Sequence, residues 1–129
     1  MFELTGKVAL VTGAKQGMGK AHSIALAQQG ALVVVTDINL KECEAVADEI
    51  TSKGGKALAL KMDVLKSGEI QEVFDRVIKE FGRLDILVNN AGIFIPKPAI
   101  ELTEEDWDTM IDINLKGQFL VAQKLRRKY

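Results

Sequence analysis

Several residue types are scarce in this chain, and each scarcity excludes a class of protein. A single cysteine, Cys43, excludes an internal disulfide and suits a reducing compartment. The one histidine, His22, has no cluster of potential metal ligands around it in the sequence, so no metal site is predicted. Only two prolines occur, and no linker or low-complexity segment divides the chain. Residues 1–129 are therefore predicted to form a single domain.

Strong charge and long apolar runs are also missing. The net charge is -1, so nothing indicates a nucleic acid or an anionic membrane as a partner. No apolar run approaches the ~18 residues that a membrane-spanning helix needs. Residues 1–7 do not resemble a signal peptide, because no apolar segment follows a basic start. A cytoplasmic protein is expected.

Short apolar runs alternate with helical patterns along the whole chain. Continuous apolar runs at 8–11, 32–35, 57–60 and 84–88 are typical of strands covered on both faces. Gly30, Gly54 and Gly82 each follow a helical pattern and precede a strand, where a left-handed residue ends a helix. Alternating strands and helices imply right-handed crossovers and a doubly wound, Rossmann-type parallel sheet.

Helix starts are marked by residues that can cap them. Asn39 with Glu42 and Thr103 with Asp106 form capping-box-like pairs, and Ser67 is a third candidate cap. The last helix is predicted to begin after Thr103 and to continue to the end of the chain. In that helix, Trp107 and Met110 are predicted to pack in the core.

A glycine-rich turn follows the first strand and opens a helical pattern. Glycines let the backbone approach a pyrophosphate, while free N–H groups and the helix dipole favour its negative charge. The order of strand, loop and helix is the context that this motif requires. A dinucleotide site is predicted at Thr12-Gly13-Ala14-Lys15-Gln16-Gly17-Met18-Gly19.

One acidic residue indicates which dinucleotide binds. Asp37 follows the second strand, 18 positions after Gly19, where a carboxylate can accept hydrogen bonds from the adenosine ribose hydroxyls. A 2′-phosphate would be repelled there, so Asp37 favours NAD over NADP. Two points remain open: Asp37 could merely start a turn with Asn39, and Lys15 could attract a phosphate.

Five ordered motifs together resemble the short-chain dehydrogenase/reductase family. The glycine spacing from Gly13 to Gly19 is Gly-x-x-x-Gly-x-Gly, and residues 4–13 look like that family's opening. The others are Asp63-Val64, Asn89-Asn90-Ala91-Gly92 and Ile113-Asn114-Leu115-Lys116-Gly117. The resemblance covers the whole chain and implies strand order 3-2-1-4, with the fourth strand at an edge.

The resemblance also implies residue roles. Gly13, Gly17, Met18 and Gly19 would surround the pyrophosphate, with Lys15 and Gln16 on the adenosine side. Asp37 and Ile38 would hold the adenine ribose, Asp63 the adenine amino group, and Val64 would pack on the ring. Asn90, Ala91 and Gly92 would line the path to the nicotinamide ribose, Asn89 would brace the sheet, and residues 93–98 would line a substrate pocket. Asn114 would help to hold a water and the catalytic lysine.

None of the catalytic serine, tyrosine and lysine that the resemblance implies is present in these residues. That family uses a serine on the fifth strand and a Tyr-x-x-x-Lys pair on the next helix as general acid/base machinery. Tyr129 lies only 15 residues past Asn114 and no lysine follows it, so it is not that tyrosine. The chain is therefore expected to be an incomplete dinucleotide-binding domain, ending after the helix that follows strand 4 and inactive alone. The parent reaction would interconvert an alcohol and a ketone or aldehyde.

Two other interpretations stay open, and one surface is expected to be exposed. The chain could be a non-catalytic nucleotide-binding or dimerisation module, or a flavodoxin-like protein that binds a mononucleotide. Asp37 and Asp63 argue against the last, since they serve an adenosine half that FMN lacks. The edge strand 84–88 and the apolar helix 107–125 are expected to promote self-association, and in the resembling family the equivalent helix contacts a second subunit.

Overall fold

A four-stranded parallel sheet forms the centre of the computed structural model, which describes residues 3–14, 17–91 and 98–128. Its strand order is β3-β2-β1-β4, which confirms the order implied by the sequence. Leu10, in β1, pairs with Val34 of β2 on one side and with Leu87 of β4 on the other. The strands are β1 Val8–Val11, β2 Leu32–Asp37, β3 Lys56–Lys61 and β4 Ile86–Val88.

Helices cover the sheet on both faces. On one face α1 and α2 pack on a core that includes Val11, Val33 and Cys43. On the other face α3 and α5 pack on a core that includes Leu10 and Phe74. Because both faces are covered, β1 and β2 are almost wholly apolar, as the continuous runs predicted. The helices are α1 Gly17–Gln28, α2 Leu40–Ser52, α3 Ser67–Phe81, α4 Glu104–Ile111 and α5 Gln118–Lys128.

The predicted helix ends are largely confirmed. The Asn39 side chain accepts from the Glu42 N–H, and Thr103 with Asp106 forms a reciprocal capping box. Gly30, Gly54 and Gly82 all have positive φ, at 100°, 86° and 76°. No helix in the described ranges is long and apolar enough to cross a membrane.

The fourth strand and the start of α3 differ from prediction. The prediction of a strand at 84–88 is wrong at its start, because the ladder begins at Ile86. The carboxylate of Asp85 accepts the Val8 N–H at 2.9 Å, a position that a strand carbonyl would otherwise fill. The prediction that Ser67 caps α3 is also wrong, since Ser67 is the first helical residue and Lys66 precedes it without a side-chain cap.

The last predicted helix is interrupted. Between α4 and α5 the chain forms a π-helical segment, Asp112–Gly117, which we call the π segment. Trp107 is 58% exposed on α4, so its predicted place in the core is wrong, whereas Val121 on α5 is fully buried. The spacing of apolar residues predicted this helix, but it did not show which of the helix's apolar sides packs against the sheet. A π bulge is often found at a functional site, which makes this segment a candidate.

The Asp85 carboxylate accepts the Val8 N–H of β1 and also forms an ion pair with Arg83, and these contacts should make stability pH-dependent. The Arg83 guanidinium contacts the Asp85 carboxylate at 2.7 and 2.8 Å and, with the Val8 N–H, lowers the pKa of Asp85. A lowered folded pKa stabilises the fold at pH above the unfolded value, about 3.9. That contribution is lost as the pH falls through the folded value.

We therefore expect Asp85→Asn to lower the Tm at neutral pH by an amount that shrinks below about pH 4. Thermal unfolding from pH 3 to pH 7 measures this. Asp108→Asn, on an exposed carboxylate of α4, serves as the control and should change little at any pH. If the Tm of Asp85→Asn stays below that of the wild type by a constant amount from pH 3 to pH 7, the charge of Asp85 does not cause the loss of stability.

Candidate functional site

The carboxyl ends of β1 and β4 meet where the strand order reverses. From β1 the chain crosses to β2 on one side, while β4 lies on the other side. Ligands of open α/β sheets bind in the crevice at such a reversal. The loop after β1 and the turn after β4 carry most of the residues predicted from the glycine and Asn-Asn-Ala-Gly motifs.

The hydroxyl of Thr12 joins these two loops. Thr12 is fully buried, and its Oγ1 accepts the backbone N–H groups of Asn90 at 2.8 Å and Ala91 at 2.9 Å. The same hydroxyl donates to Oδ1 of Asn89 at 3.3 Å. One buried group thus fixes three consecutive residues after β4, because buried polar groups require partners.

Glycine is required where the loops touch. A Cβ on Gly13, which has φ +62°, would lie 2.8 Å from Cα of Ala91. A Cβ on Gly19 would overlap the carbonyl oxygen of Gly13 and lie 2.7 Å from Nδ2 of Asn90. The amino end of α1 is therefore packed directly against both loops.

The remaining loop glycine faces open space. Gly17 begins α1 with φ +60°, and a Cβ there would meet no atom of the described residues within 4 Å. No acidic residue lies in the first turn of α1, and Met18 is 69% exposed. An uncovered helix start without negative side chains is what a pyrophosphate requires. Lys15 and Gln16, predicted on the adenosine side, lie outside the described residues.

Asp37 ends β2 beside the loop after β1. The carbonyl of Thr36 accepts the Ala14 N–H at 3.0 Å, so the loop and the end of β2 are linked. Oδ1 of Asp37 accepts the Asn39 N–H at 3.3 Å, which means that the turn interaction considered from sequence is present. The next residue, Ile38, is 62% exposed. The half-buried Asp37 carboxylate thus lies at the edge of the crevice.

The loop after β3 is held by its own side chains. Oδ1 of Asp63 accepts the Leu65 N–H at 2.9 Å, and the Asp63 N–H donates to Oε1 of Glu69 at 3.2 Å. Glu69 was not predicted from the sequence, where its only visible signal was an acidic residue in the first turn of a predicted helix. Val64 is only 7% exposed and belongs to the core, so little of its surface is available to a ring.

The π segment lies against the ends of β3 and β4. Nδ2 of Asn89 donates to the carbonyl of Gln118 at 2.8 Å, so Asn89 braces the sheet against this helix as expected. Asn114 is half-buried within the segment. Gly92 and residues 93–97, which were predicted to line the nicotinamide and substrate side, lie outside the described residues.

Comparisons with known proteins point to one family. The sequence profile of the short chain dehydrogenase family matches residues 7–128. The hydroxynaphthalene reductase-like protein Arp2 of Metarhizium robertsii is 46% identical over 121 residues, which cover 93% of this chain and 45% of that protein. The D-threitol dehydrogenase of Mycolicibacterium smegmatis is 42% identical over 127 residues, which cover 98% of this chain and 49% of that protein. The chain spans about half the length of the curated relatives it matches.

Solved structures agree with these matches. A short-chain type dehydrogenase/reductase from Mycobacterium marinum superposes with a TM-score of 0.93 at 39% identity, covering 98% of this chain and 51% of that one. A metagenomic short-chain oxidoreductase in complex with NADP gives a TM-score of 0.85 at 37% identity, covering 94% of this chain and 55% of that one.

Removing the Thr12 hydroxyl should loosen both loops. Thr12→Val leaves the N–H groups of Asn90 and Ala91 without an acceptor, and an unsatisfied buried group costs about 1–3 kcal/mol. Thr12→Ser keeps the hydroxyl and loses one methyl, worth roughly 1 kcal/mol. Urea unfolding should therefore rank stability as wild type, then Thr12→Ser, then Thr12→Val. Equal losses in the two variants would mean that the methyl matters and the hydroxyl does not.

Proposed function

Because this chain belongs to the short-chain dehydrogenase/reductase family, we propose that it is the NAD(H)-binding portion of an oxidoreductase. The parent reaction transfers a hydride between NAD and an alcohol or ketone. One observation carries the proposal: α1 starts at the carboxyl ends of β1 and β4, where the strand order reverses, and Gly17 at that start is uncovered. A bound nicotinamide ring supplies the hydride chemistry.

The pyrophosphate would be held by backbone groups of the loop after β1. Gly13 and Gly19 are buried in contacts between the two loops, which leaves Gly17 and Met18 as the uncovered part. Lys15 and Gln16 complete this part of the site in the proposal. On the nicotinamide side we assign Asn90, Ala91 and Gly92, with Asn114 as the residue that helps to hold a water and the catalytic lysine in the complete active site.

The adenosine half would lie over the ends of β2 and β3. Asp37 would accept hydrogen bonds from the ribose hydroxyls, with Ile38 beside it, and Asp63 and Val64 would meet the adenine. The carboxylate of Asp37 opposes a 2′-phosphate by like-charge repulsion, which favours NAD over NADP. The similar metagenomic oxidoreductase is in complex with NADP, so the preference of this chain needs a direct test.

Turnover is not expected from these 129 residues alone. No residue among them fills the roles that the family gives to its serine and Tyr-x-x-x-Lys pair. The curated relatives are about twice as long as the matched region, which leaves room for those roles in a complete enzyme. We therefore propose cofactor binding, and not catalysis, as the property of this portion.

Calorimetric titration with NADH and NADPH tests the cofactor assignment. NADH should bind more tightly than NADPH, and Asp37→Ala should weaken NADH binding about tenfold, the equivalent of ~1.4 kcal/mol for lost hydrogen bonds to a charged group. The same change should narrow the gap between the two cofactors, since it removes the repulsion of the 2′-phosphate.

Asp48→Ala, on the exposed side of α2, is the matched control and should leave both affinities unchanged. Equal affinities of the wild type for NADH and NADPH would refute the preference for NAD. Absence of binding to either cofactor by a folded chain would refute cofactor binding by this portion.

A specific observation favours self-association as a second property. Four large apolar residues at four-residue intervals run along α4, the π segment and α5: Trp107, Ile111, Leu115 and Phe119, with exposures of 58%, 37%, 65% and 61%. We call these the exposed stripe. An apolar surface of this kind marks an interaction site.

Acidic residues dominate the first half of this region and basic residues the second, so two copies packed antiparallel would place opposite charges together. The edge strand β4 is a second candidate contact.

Phe119→Glu should shift the chain towards monomers, because a dimer would have to bury a charge in the exposed stripe. Analytical ultracentrifugation over a concentration series measures the dissociation constant, which we expect to rise at least about tenfold, or ~1.4 kcal/mol. Ile100→Glu is the control, since Ile100 is 95% exposed but lies outside the stripe. A wild-type chain that stays monomeric at all concentrations would refute this proposal.

A further inference from the structure

The π segment touches the loop after β3 at one glycine. A Cβ on Gly117 would lie 2.5 Å from Cγ2 of Val64 and 3.1 Å from its Cβ. Non-bonded carbon atoms normally stay about 3.5–4 Å apart. Any side chain at this position would therefore have to displace either Val64 or the π segment by roughly 1 Å.

Val64 has little freedom to move away. It is 7% exposed and lies in the core cluster that also contains Ile70 and Val121. A β-branched side chain has few accessible rotamers, and a packed core resists displacement. The π segment is thus the side of the contact that would shift.

The residue that follows the π segment, Gln118, is hydrogen-bonded to the turn after β4. The Gln118 carbonyl accepts from Nδ2 of Asn89 at 2.8 Å, and Asn89 in turn accepts from the Thr12 hydroxyl. Asn114 lies three residues before Gly117, within the same turn of the π segment. A displacement at Gly117 would reach both Asn114 and the Asn89 bond.

We infer that Gly117 is a positioning residue: its missing side chain lets the π segment rest on Val64 and thereby sets the place of Asn114. The contact joins the loop that carries Asp63 to the segment that carries Asn114. Gly117 itself touches neither cofactor nor substrate in this assignment. The functional meaning of the inference rests on the proposed cofactor site, whereas the contact can be tested without any ligand.

Four variants separate positioning from a general loss of stability. Gly117→Ala introduces the clash, and Val64→Ala removes the methyl groups that it meets. The double variant combines them. Gly68→Ala on α3 is the matched control, because a Cβ there meets nothing within 4 Å.

The ligand-free readouts are the Tm and the side-chain amide resonances of Asn114 and Asn89 in ¹H–¹⁵N spectra. Alanine has a higher helix propensity than glycine, so Gly68→Ala should keep or raise the Tm. Gly117→Ala should lower the Tm and shift both asparagine resonances. In the double variant the 2.5 Å contact is gone and only the 3.1 Å contact with Cβ of residue 64 remains. The Asn114 resonance should therefore move back towards its wild-type position, and the Tm loss should be smaller than the sum of the single changes.

Unshifted asparagine resonances in Gly117→Ala would overturn the inference, even if the Tm fell. If Gly117→Ala does not fold, folding of the double variant supports the inference and its failure overturns it. NADH titration of the same set follows, with about fivefold weaker binding expected for Gly117→Ala than for Gly68→Ala. A wild type that binds no NADH would refute the proposed function but leave the ligand-free results decisive for the contact.

Discussion

The site is organised by how closely two loops approach each other at the carboxyl ends of β1 and β4. Gly13 and Ala91 come together so tightly that no side chain fits on Gly13, and Thr12 satisfies the backbone groups brought into this contact. The start of α1 rests on the same contact through Gly19. The uncovered helix start and the turn after β4 therefore have fixed positions relative to each other, although 77 residues separate Thr12 from Asn89.

Sterics and hydrogen bonding have different parts in this arrangement. A typical hydrogen bond adds a net of only about 1 kcal/mol, and the bond from Thr12 to Asn89 is long at 3.3 Å. By contrast, a side chain on Gly19 would overlap the Gly13 carbonyl, and a packed interior has no slack to absorb such an overlap. The hydrogen bonds of Thr12 fix the orientation of the two loops, and the absence of side chains at Gly13 and Gly19 allows the loops to come this close.

Most of the fold was predictable because it depends on local patterns. Continuous apolar runs located four strands, and glycines located the left-handed helix ends. The differences arise where tertiary contacts decide. β4 starts late because the Asp85 carboxylate takes the Val8 N–H, and the helix after Thr103 widens where Gly117 meets Val64. Trp107 was misplaced because this helix carries apolar residues on more than one side, and their spacing does not show which side the sheet covers. For the candidate site, the motifs located the glycines and Asp37, but Glu69 acts through a contact across six residues that no motif includes.

The two apolar residues predicted beside the adenosine have different environments, and this difference bears on how the site would work. Ile38 is 62% exposed and has surface to offer a ring next to Asp37, whereas Val64 is 7% exposed and has little. The buried side of Val64 contacts Gly117, so its main effect passes to the π segment and not to a ligand. A substitution at Val64 would then change the position of Asn114 more than the area that an adenine can cover. Two residues that the resemblance places beside the adenosine therefore differ in environment: Ile38 has surface free for a ligand, whereas Val64 supports the π segment.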